Sequence, residues 1–420
     1  MSAPFRAIDR CRVCGGSDLE AALDLGSQAL TGVFPKTPGQ AVPVMPLRLV
    51  RCVKGGDSGR CGLLQLEHSA APEALYGDDY GYRSGLNRSM VAHLHGKVEA
   101  IRARVPFGPG DLVVDIGSND GTTLAAYPPR GADLIGVDPG GAAFARYYPP
   151  HIRLIPDFFS ARGLAAAVGP RKAKVITSFS MFYDLEDPMQ FMREVRDSLD
   201  DRGVWVLEQS YMPTMLAMNA YDTVCHEHLE YYALGPIRWM MERVGLAILE
   251  VTFNAVNGGS FSITAAKAGS TQAADTAAVD AILRKEAALG LDTPSPYAAF
   301  RERVARHRDA LRAFLGAQRR EGRRIAGYGA STKGNVLIQY CGIGPELVPC
   351  IAEVNEDKFG CFTPGTWIPI VPEAQARELN PDYLLVLPWH FHDSVVAREA
   401  AFRRNGGRLV FPLPVLEIVT

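Results

Sequence analysis

The residues best equipped for chemistry lie in one stretch, Tyr221-Asp222-Thr223-Val224-Cys225-His226-Glu227-His228-Leu229-Glu230-Tyr231-Tyr232, the densest cluster of titratable groups in the chain. A neutral imidazole is the natural proton acceptor near pH 7, and neighbouring carboxylates or phenols can orient it. Histidines two apart point the same way on a strand or turn, and Glu227 between them could orient a neighbour. The spacing is not that of a zinc protease, whose histidines stand four apart on a helical face. The downstream P-C-x-x-C of the zinc deaminases is missing too. His226, Glu227 and His228 therefore read as a proton-transfer group.

A second stretch, Val113-Val114-Asp115-Ile116-Gly117-Ser118-Asn119-Asp120-Gly121, has the form of a buried parallel strand running into a glycine turn and a helix. Such a turn lets backbone approach a ligand, and the helix offers its free N–H groups there. About twenty residues on, Leu134-Ile135-Gly136-Val137-Asp138 supplies a second strand tipped with a carboxylate, where an acid meets ribose hydroxyls. The spacing is D-x-G-x-x-x-G rather than the dinucleotide G-x-G-x-x-G, so no pyrophosphate is cradled. It fits S-adenosylmethionine, with Asp115 facing the cationic end. Asp115, Gly117, Asn119, Gly121 and Asp138 are the expected contacts. Asp157 and Phe158, after the third strand, are placed to hold the adenine, and Ser178 at the tip of the fourth strand joins them.

A third stretch, Arg324-Ile325-Ala326-Gly327-Tyr328-Gly329-Ala330-Ser331-Thr332-Lys333-Gly334, repeats the strand, glycine turn and helix. Hydroxyls, a lysine and free N–H groups at a helix start read as a phosphate site, though not a Walker loop. Cys11, Cys14, Cys52 and Cys61 form two turns of paired thiols. Four thiolates make a closed tetrahedral site, so a structural Zn2+ is expected, stapling a lobe too small for much core.

These groups need elements to position them. Strands are expected near residues 112–116, 134–138, 153–155, 174–179 and 203–209, with intervening helices, which is the pattern of an open parallel sheet. Residues 247–254 and 261–266 should close it as a hairpin around Asn257-Gly258-Gly259-Ser260. Residues 270–322 read as a helical bridge on solvated surfaces, broken at Asp292-Thr293-Pro294-Ser295-Pro296. A second α/β domain follows, with strands near 348–353, 368–371, 383–388 and 408–411. The expected fold is α/β: a four-cysteine zinc-binding lobe (1–75), a class I methyltransferase-type Rossmann-like domain (76–270), and a bridge with a second Rossmann-like domain (271–420).

At 420 residues, 47% hydrophobic and 21% charged, the chain has the composition of a soluble globular protein. A net charge of −2 gives no electrostatic reason to expect nucleic acid or an anionic membrane as partner. No apolar run reaches the roughly 18 residues of a membrane span, and the first residues lack a signal peptide's apolar core. A cytoplasmic protein, with its eight cysteines reduced or metal-bound, is expected.

As an ordered set these motifs resemble one family. They are Cys11-x-x-Cys14 with Cys52 and Cys61-Gly62-Leu63, the Asp115–Gly121 turn, and Cys225-His226-Glu227-His228-x-x-Tyr231-Tyr232. Asn257-Gly258-Gly259-Ser260, Gly327-Tyr328-Gly329-Ala330-x-x-Lys333-Gly334-Asn335 and Pro364-Gly365-Thr366-x-Ile368-Pro369 complete it. Over essentially its whole length the chain resembles the nucleotide-sugar C-methyltransferases that place a methyl on C3 of 4-keto deoxysugars.

The resemblance implies a zinc lobe, a cofactor domain and a C-terminal domain that binds a nucleotide-diphosphate sugar, with catalysis between them. It makes His228 the base that removes the C3 proton, with Glu227 beside it. Asn257, Ser260, Tyr328, Ser331, Lys333 and Asn335 become substrate contacts, and the chain is expected to act as a monomer. The chain departs from the family pattern at Cys225, where the best-known members carry a tyrosine, and in the longer gap from Cys52 to Cys61. Tyr80 and Tyr82 are candidates for the pocket's phenol. Other readings are a bifunctional enzyme that also reduces C4, an O- or N-methyltransferase of a sugar nucleotide, and a binding protein that kept the fold without chemistry.

Overall fold

The computed structural model describes residues 5–53, 59–70 and 83–420, so the connector carrying Tyr80 and Tyr82 lies outside the described residues. At the N-terminus, β1 (Phe5–Ala7) pairs with β5 (His68–Ala70), while β2 (Leu19–Ala29), β3 (Val44–Cys52) and β4 (Leu64–Leu66) form an antiparallel meander.

The central sheet takes β6 (Leu112–Ile116), β7 (Asp133–Val137), β8 (Ile152–Ile155), β9 (Ala173–Phe179) and β10 (Leu199–Ser210). After the short β11 (Glu230–Tyr231) it is completed by β12 (Leu246–Asn254) and β13 (Ser260–Lys267). Its order is β12-β13-β10-β9-β6-β7-β8. Strand β13 runs antiparallel to both its neighbours, and the other pairs are parallel. All five residues of β6 are buried, as a strand covered on both faces requires. The expected β12–β13 hairpin is present, and its turn holds Asn257, Gly258 and Gly259 at φ of 56°, 89° and 120°. Those left-handed values explain the two glycines.

The helices Thr276–Ala288 and Ser295–Arg320 lead into a second sheet. It contains β14 (Ile325–Tyr328), β15 (Ile351–Glu353), β16 (Ile370–Pro372), β17 (Tyr383–Val386) and β18 (Arg408–Phe411), with β19 (Glu417–Val419) antiparallel at its edge. The order is β16-β15-β14-β17-β18-β19, so β14 and β17 flank the topological switch point. One expectation needs correction. The long helix is not a solvated bridge, because Tyr297, Phe300, Val304, Leu311 and Leu315 form a helical stripe buried in the C-terminal core.

The N-terminal lobe has only a small cluster of its own among the described residues, Leu30, Met45 and Ala70 with Phe5, Val33 and Val42 against them. Leu23, Leu25, Leu47, Leu49, Leu64 and Leu66 pack in one cluster with Phe300 and the C-terminal strands. Cys11, Cys52 and Cys61 pack instead with Ile116, Trp205 and Tyr232 of the central domain. Strand β11 pairs with β4 (Glu230↔Gln65, Tyr231↔Leu64), so the lobe's sheet has a fourth strand drawn from the stretch that carries His226-Glu227-His228. Among the described residues, no helix is long and apolar enough to cross a membrane.

Candidate active site

A cavity of about 480 Å3 opens at the carboxyl ends of β6 and β7. That volume is in the roughly 300–1,000 Å3 range of small-molecule sites. Asp115, Gly117, Asn119 and Asp138 line it, together with Ser84, Leu94, Phe144, Phe158, Phe159 and Met181. A Cβ at Gly117 would lie 2.9 Å from Met181 Cγ, and the residue's φ is +71°, so the position requires glycine. Gly121 (φ +79°) starts the following helix against the Tyr148 ring.

Asp138 braces the turn, accepting from the N–H of Asn119 through Oδ2 and from that of Gly140 through Oδ1, both at 2.8 Å. Asp115 Oδ1 accepts from the Thr177 hydroxyl at 2.6 Å. Burial pushes its carboxyl up to about 7, against the Thr177 and Thr123 hydrogen bonds that lower it. A buried acid with no cation acting on it among the described residues suits a ligand that brings a positive charge.

The sulfur atoms of Cys11, Cys14, Cys52 and Cys61 lie within 4.8 Å of one another, with Cys11–Cys61 at 3.5 Å and Cys14–Cys52 at 3.4 Å. A tetrahedral Zn–S4 site has sulfurs about 3.8 Å apart, from Zn–S bonds of about 2.3 Å. The four thiols therefore fit a structural zinc ion.

His226 and Glu227 are buried and His228 is half-buried, and the three point to different partners. His226 Nε2 sits 3.4 Å from the Met45 carbonyl, and its Nδ1 is buried without a partner. Glu227 accepts from the Thr31 hydroxyl at 3.4 Å, and burial raises its carboxyl. His228 donates from Nδ1 to the Thr223 carbonyl at 2.9 Å. A carbonyl only accepts, so Nδ1 carries the proton and Nε2 keeps a lone pair. Burial first, then the charge of Lys333, push His228 down to about 4, leaving it neutral at physiological pH. Its ring packs on Tyr183 at a centroid distance of 4.3 Å, and Tyr183 lies between the cavity-lining Met181 and Asp184. The free nitrogen thus belongs to a ring packed on Tyr183, a chain neighbour of residues that line the cavity.

The C-terminal domain meets this region at the ends of β14 and β17. Trp389 Nε1 donates to Asp222 Oδ2 at 2.7 Å, and Lys333 Nζ donates to the Asn257 carbonyl at 2.9 Å. His390 is pushed down to about 3 by burial and then by Lys333.

Comparison with known proteins agrees with this arrangement. Residues 11–76 match a family described as a zinc binding domain, residues 90–251 a methyltransferase domain, and residues 255–414 a C-methyltransferase C-terminal domain. The chain is 30% identical over 418 residues to C-methyltransferase NovU of Streptomyces niveus, covering 99% of this chain and 98% of that protein. The chain belongs to the C-methyltransferase family. It is an S-adenosylmethionine-dependent methyltransferase with a zinc-binding lobe. Two solved structures are similar to part of it at low TM-scores. CcbJ methyltransferase of Streptomyces caelestis has a TM-score of 0.33 at 13% identity, over 42% of this chain and 90% of its own. Magnesium protoporphyrin IX methyltransferase (ChlM) of Synechocystis PCC 6803, solved with bound SAM, has a TM-score of 0.31 at 14% identity, over 43% and 79%.

Within this C-methyltransferase several expected contacts have partners inside the chain or lie off the cavity lining. Ser178 turns into the core, accepting from the Trp205 indole at 2.9 Å, and Phe179, Ser180 and Met181 line the cavity instead. Asp157 is exposed and outside the cavity lining, where it accepts from the N–H of Phe158. Asn335 is fully buried and donates to the Thr31 carbonyl at 2.7 Å, because its helix face turns toward the N-terminal lobe. Ser260 closes the hairpin turn onto the Val256 carbonyl, and Ser331 caps its helix by accepting from Gly334 N–H. Tyr328 is buried, and its hydroxyl accepts from Arg398 at 2.7 Å. A larger open depression of about 810 Å3, lined by Arg104, Lys174, Arg202 and Glu250, contains none of the motif residues.

Tyr183, Asp222, Trp389 and His390 were not singled out as site residues by sequence reasoning. Trp389 and His390 follow the apolar run Tyr383–Leu387 after one proline, at the place where open α/β sheets bind ligands, which is the signal that could have found them.

Proposed function

We propose that the protein methylates C3 of a nucleotide-diphosphate 4-keto deoxysugar, with His228 as the base. The supporting observation is the imidazole of His228, neutral, with Nδ1 bound to Thr223 and its ring against Tyr183, which stands in the chain between the cavity-lining Met181 and Asp184. Bound S-adenosylmethionine supplies an electrophilic methyl on a sulfonium. Oxygen and nitrogen nucleophiles need little help, whereas carbon must first lose a proton beside a carbonyl, and this requires a base.

In this reading His228 Nε2 takes the C3 proton while the Thr223 carbonyl fixes the ring and its tautomer. Glu227, set between the N-terminal lobe and His228, positions that segment through Thr31. Residues 76–270 hold the cofactor and 271–420 the nucleotide, with the free backbone N–H groups of the helix that starts at Thr332 at the diphosphate. Asp115 faces the cofactor's charge and Asp138 its ribose.

The test is incubation of the zinc-loaded protein with S-adenosylmethionine and a set of nucleotide-diphosphate 4-keto deoxysugars. A product 14 mass units heavier (about one CH2), made by the native protein and not by His228→Ala, is expected. No product from any sugar in the set, with cofactor binding intact, contradicts the reading.

A further inference from the structure

Lys333 was expected to hold the diphosphate, but its surroundings suit a different task. Its ammonium is packed into the junction between the hairpin turn and the C-terminal domain, and Asn257 O at 2.9 Å is its hydrogen-bond partner among the described residues. Asp222 acts on it through space only, and burial is the dominant influence on its charge, disfavouring the ammonium. A desolvated cation held by a single carbonyl is costly, and two of its three N–H donors are uncommitted.

A circuit of contacts joins this ammonium to the proposed base. Asn257 precedes Gly258, where a Cβ would stand 3.5 Å from the Trp389 ring. Trp389 donates to Asp222 at 2.7 Å, and Asp222 precedes Thr223, whose carbonyl accepts from His228 at 2.9 Å. The turn that carries the Asn257 carbonyl is held in left-handed geometry, φ 56°. Asp222 Oδ1 is buried here with no partner. Lys333 and His228 therefore border the same junction. A carbon acid and the oxygen that receives its charge are two bonds apart, so a group serving that oxygen must sit beside the base.

We propose that Lys333 is a catalytic residue that donates to the substrate's keto oxygen and stabilises the enolate formed when His228 removes the adjacent proton. This rests on the carbon-acid reading above. In the step, His228 Nε2 takes the proton and the C–H electron pair becomes the new C=C bond. The carbonyl π pair moves to oxygen, where the ammonium meets the negative charge. Nothing is oxidised or reduced, and reversal returns a proton to carbon. An oxyanion donor of this kind contributes about 10²–10³ in rate.

The step is visible without methyl transfer. The full-length, zinc-loaded protein is incubated in D2O with a nucleoside-diphosphate 4-keto-6-deoxyhexose and no S-adenosylmethionine, and loss of the C3 proton signal is followed by NMR. Lys333→Met and Lys333→Gln are both expected to slow exchange about 100-fold or more. Affinity for the nucleoside diphosphate alone, measured calorimetrically, should stay within about threefold, with S-adenosylmethionine binding as the check on folding. Lys333→Arg should recover part of the rate. Exchange at the native rate in both variants overturns the proposal, as does a loss of nucleoside diphosphate affinity that accounts for the slowing. Absence of exchange in the native protein on every sugar tried would instead overturn the carbon-acid reading itself.

Discussion

His228 donates from Nδ1 to the carbonyl of Thr223, five residues earlier, at 2.9 Å. This one bond fixes the tautomer, so the basic nitrogen is Nε2. Replacing His228 with alanine should abolish methyl transfer while leaving S-adenosylmethionine affinity within about threefold, since His228 is not among the residues lining the cavity. Calorimetry with the cofactor and a radiolabelled-methyl assay separate the two effects. A drop in cofactor affinity matching the drop in turnover would assign the residue to binding.

The pH dependence follows from the same environment. Folded His228 takes a proton only near pH 4, so the acid limb of kcat/KM should fall well below the ordinary histidine value of 6.5. Lys333 is one cause of the depression, so Lys333→Gln should move that limb upward. His226 is also pushed down to about 4 by burial. The unfolded chain protonates both below about 6.5 and the folded chain does not, so stability is full above 6.5 and is lost as pH falls toward 4. Melting curves of His226→Gln across that window should show a shallower loss than the native protein.

Asp115 offers two effects of opposite sign. Its carboxyl is pushed up to about 7, so at pH 8 the ligand-free protein bears a buried charge that an amide would not have. Asp115→Asn should raise the melting temperature without ligand and weaken S-adenosylmethionine binding about 10- to 100-fold, the worth of a hydrogen bond to a charged group. Unchanged affinity in calorimetry would remove Asp115 from the cofactor's charged end.

Zinc should matter beyond its own lobe. Cys61 is three residues before β4, and β4 pairs with β11, which begins two residues after His228. Arg12, between Cys11 and Cys14, donates to Gln65 and to the Leu66 carbonyl on the same strand. Cys61→Ser should lower bound zinc, measured by elemental analysis, and reduce turnover more than it reduces cofactor affinity. Full turnover in a zinc-free protein would contradict this coupling.

Asn335→Ala should destabilise the protein by about 1–3 kcal/mol, because the buried Thr31 carbonyl loses its donor. A denaturant titration reads this directly. A large rise in KM with no loss of stability would restore Asn335 to the substrate site.

Much of the fold was legible because the signals were local. Apolar runs such as Leu112–Ile116 end in acids or glycines, and the glycines at 117, 121 and 258 sit at positive φ. The four cysteines were readable from their pairing in turns, and they converge as expected. What escaped was long-range. No spacing rule says that Ser178 turns to Trp205, that Asn335 reaches Thr31 more than 300 residues away, or that β11 completes the N-terminal sheet. The Lys333–Asn257 and Trp389–Asp222 contacts likewise join parts of the chain that only tertiary packing brings together.

The central claim is transfer of a methyl to carbon, and its most direct test is the structure of the product. With 13C-methyl-labelled S-adenosylmethionine and a nucleotide-diphosphate 4-keto deoxysugar, a carbon–carbon coupling between the new methyl and ring C3 in the NMR spectrum is predicted. A labelled methyl on oxygen or nitrogen, with no coupling to C3, would contradict it.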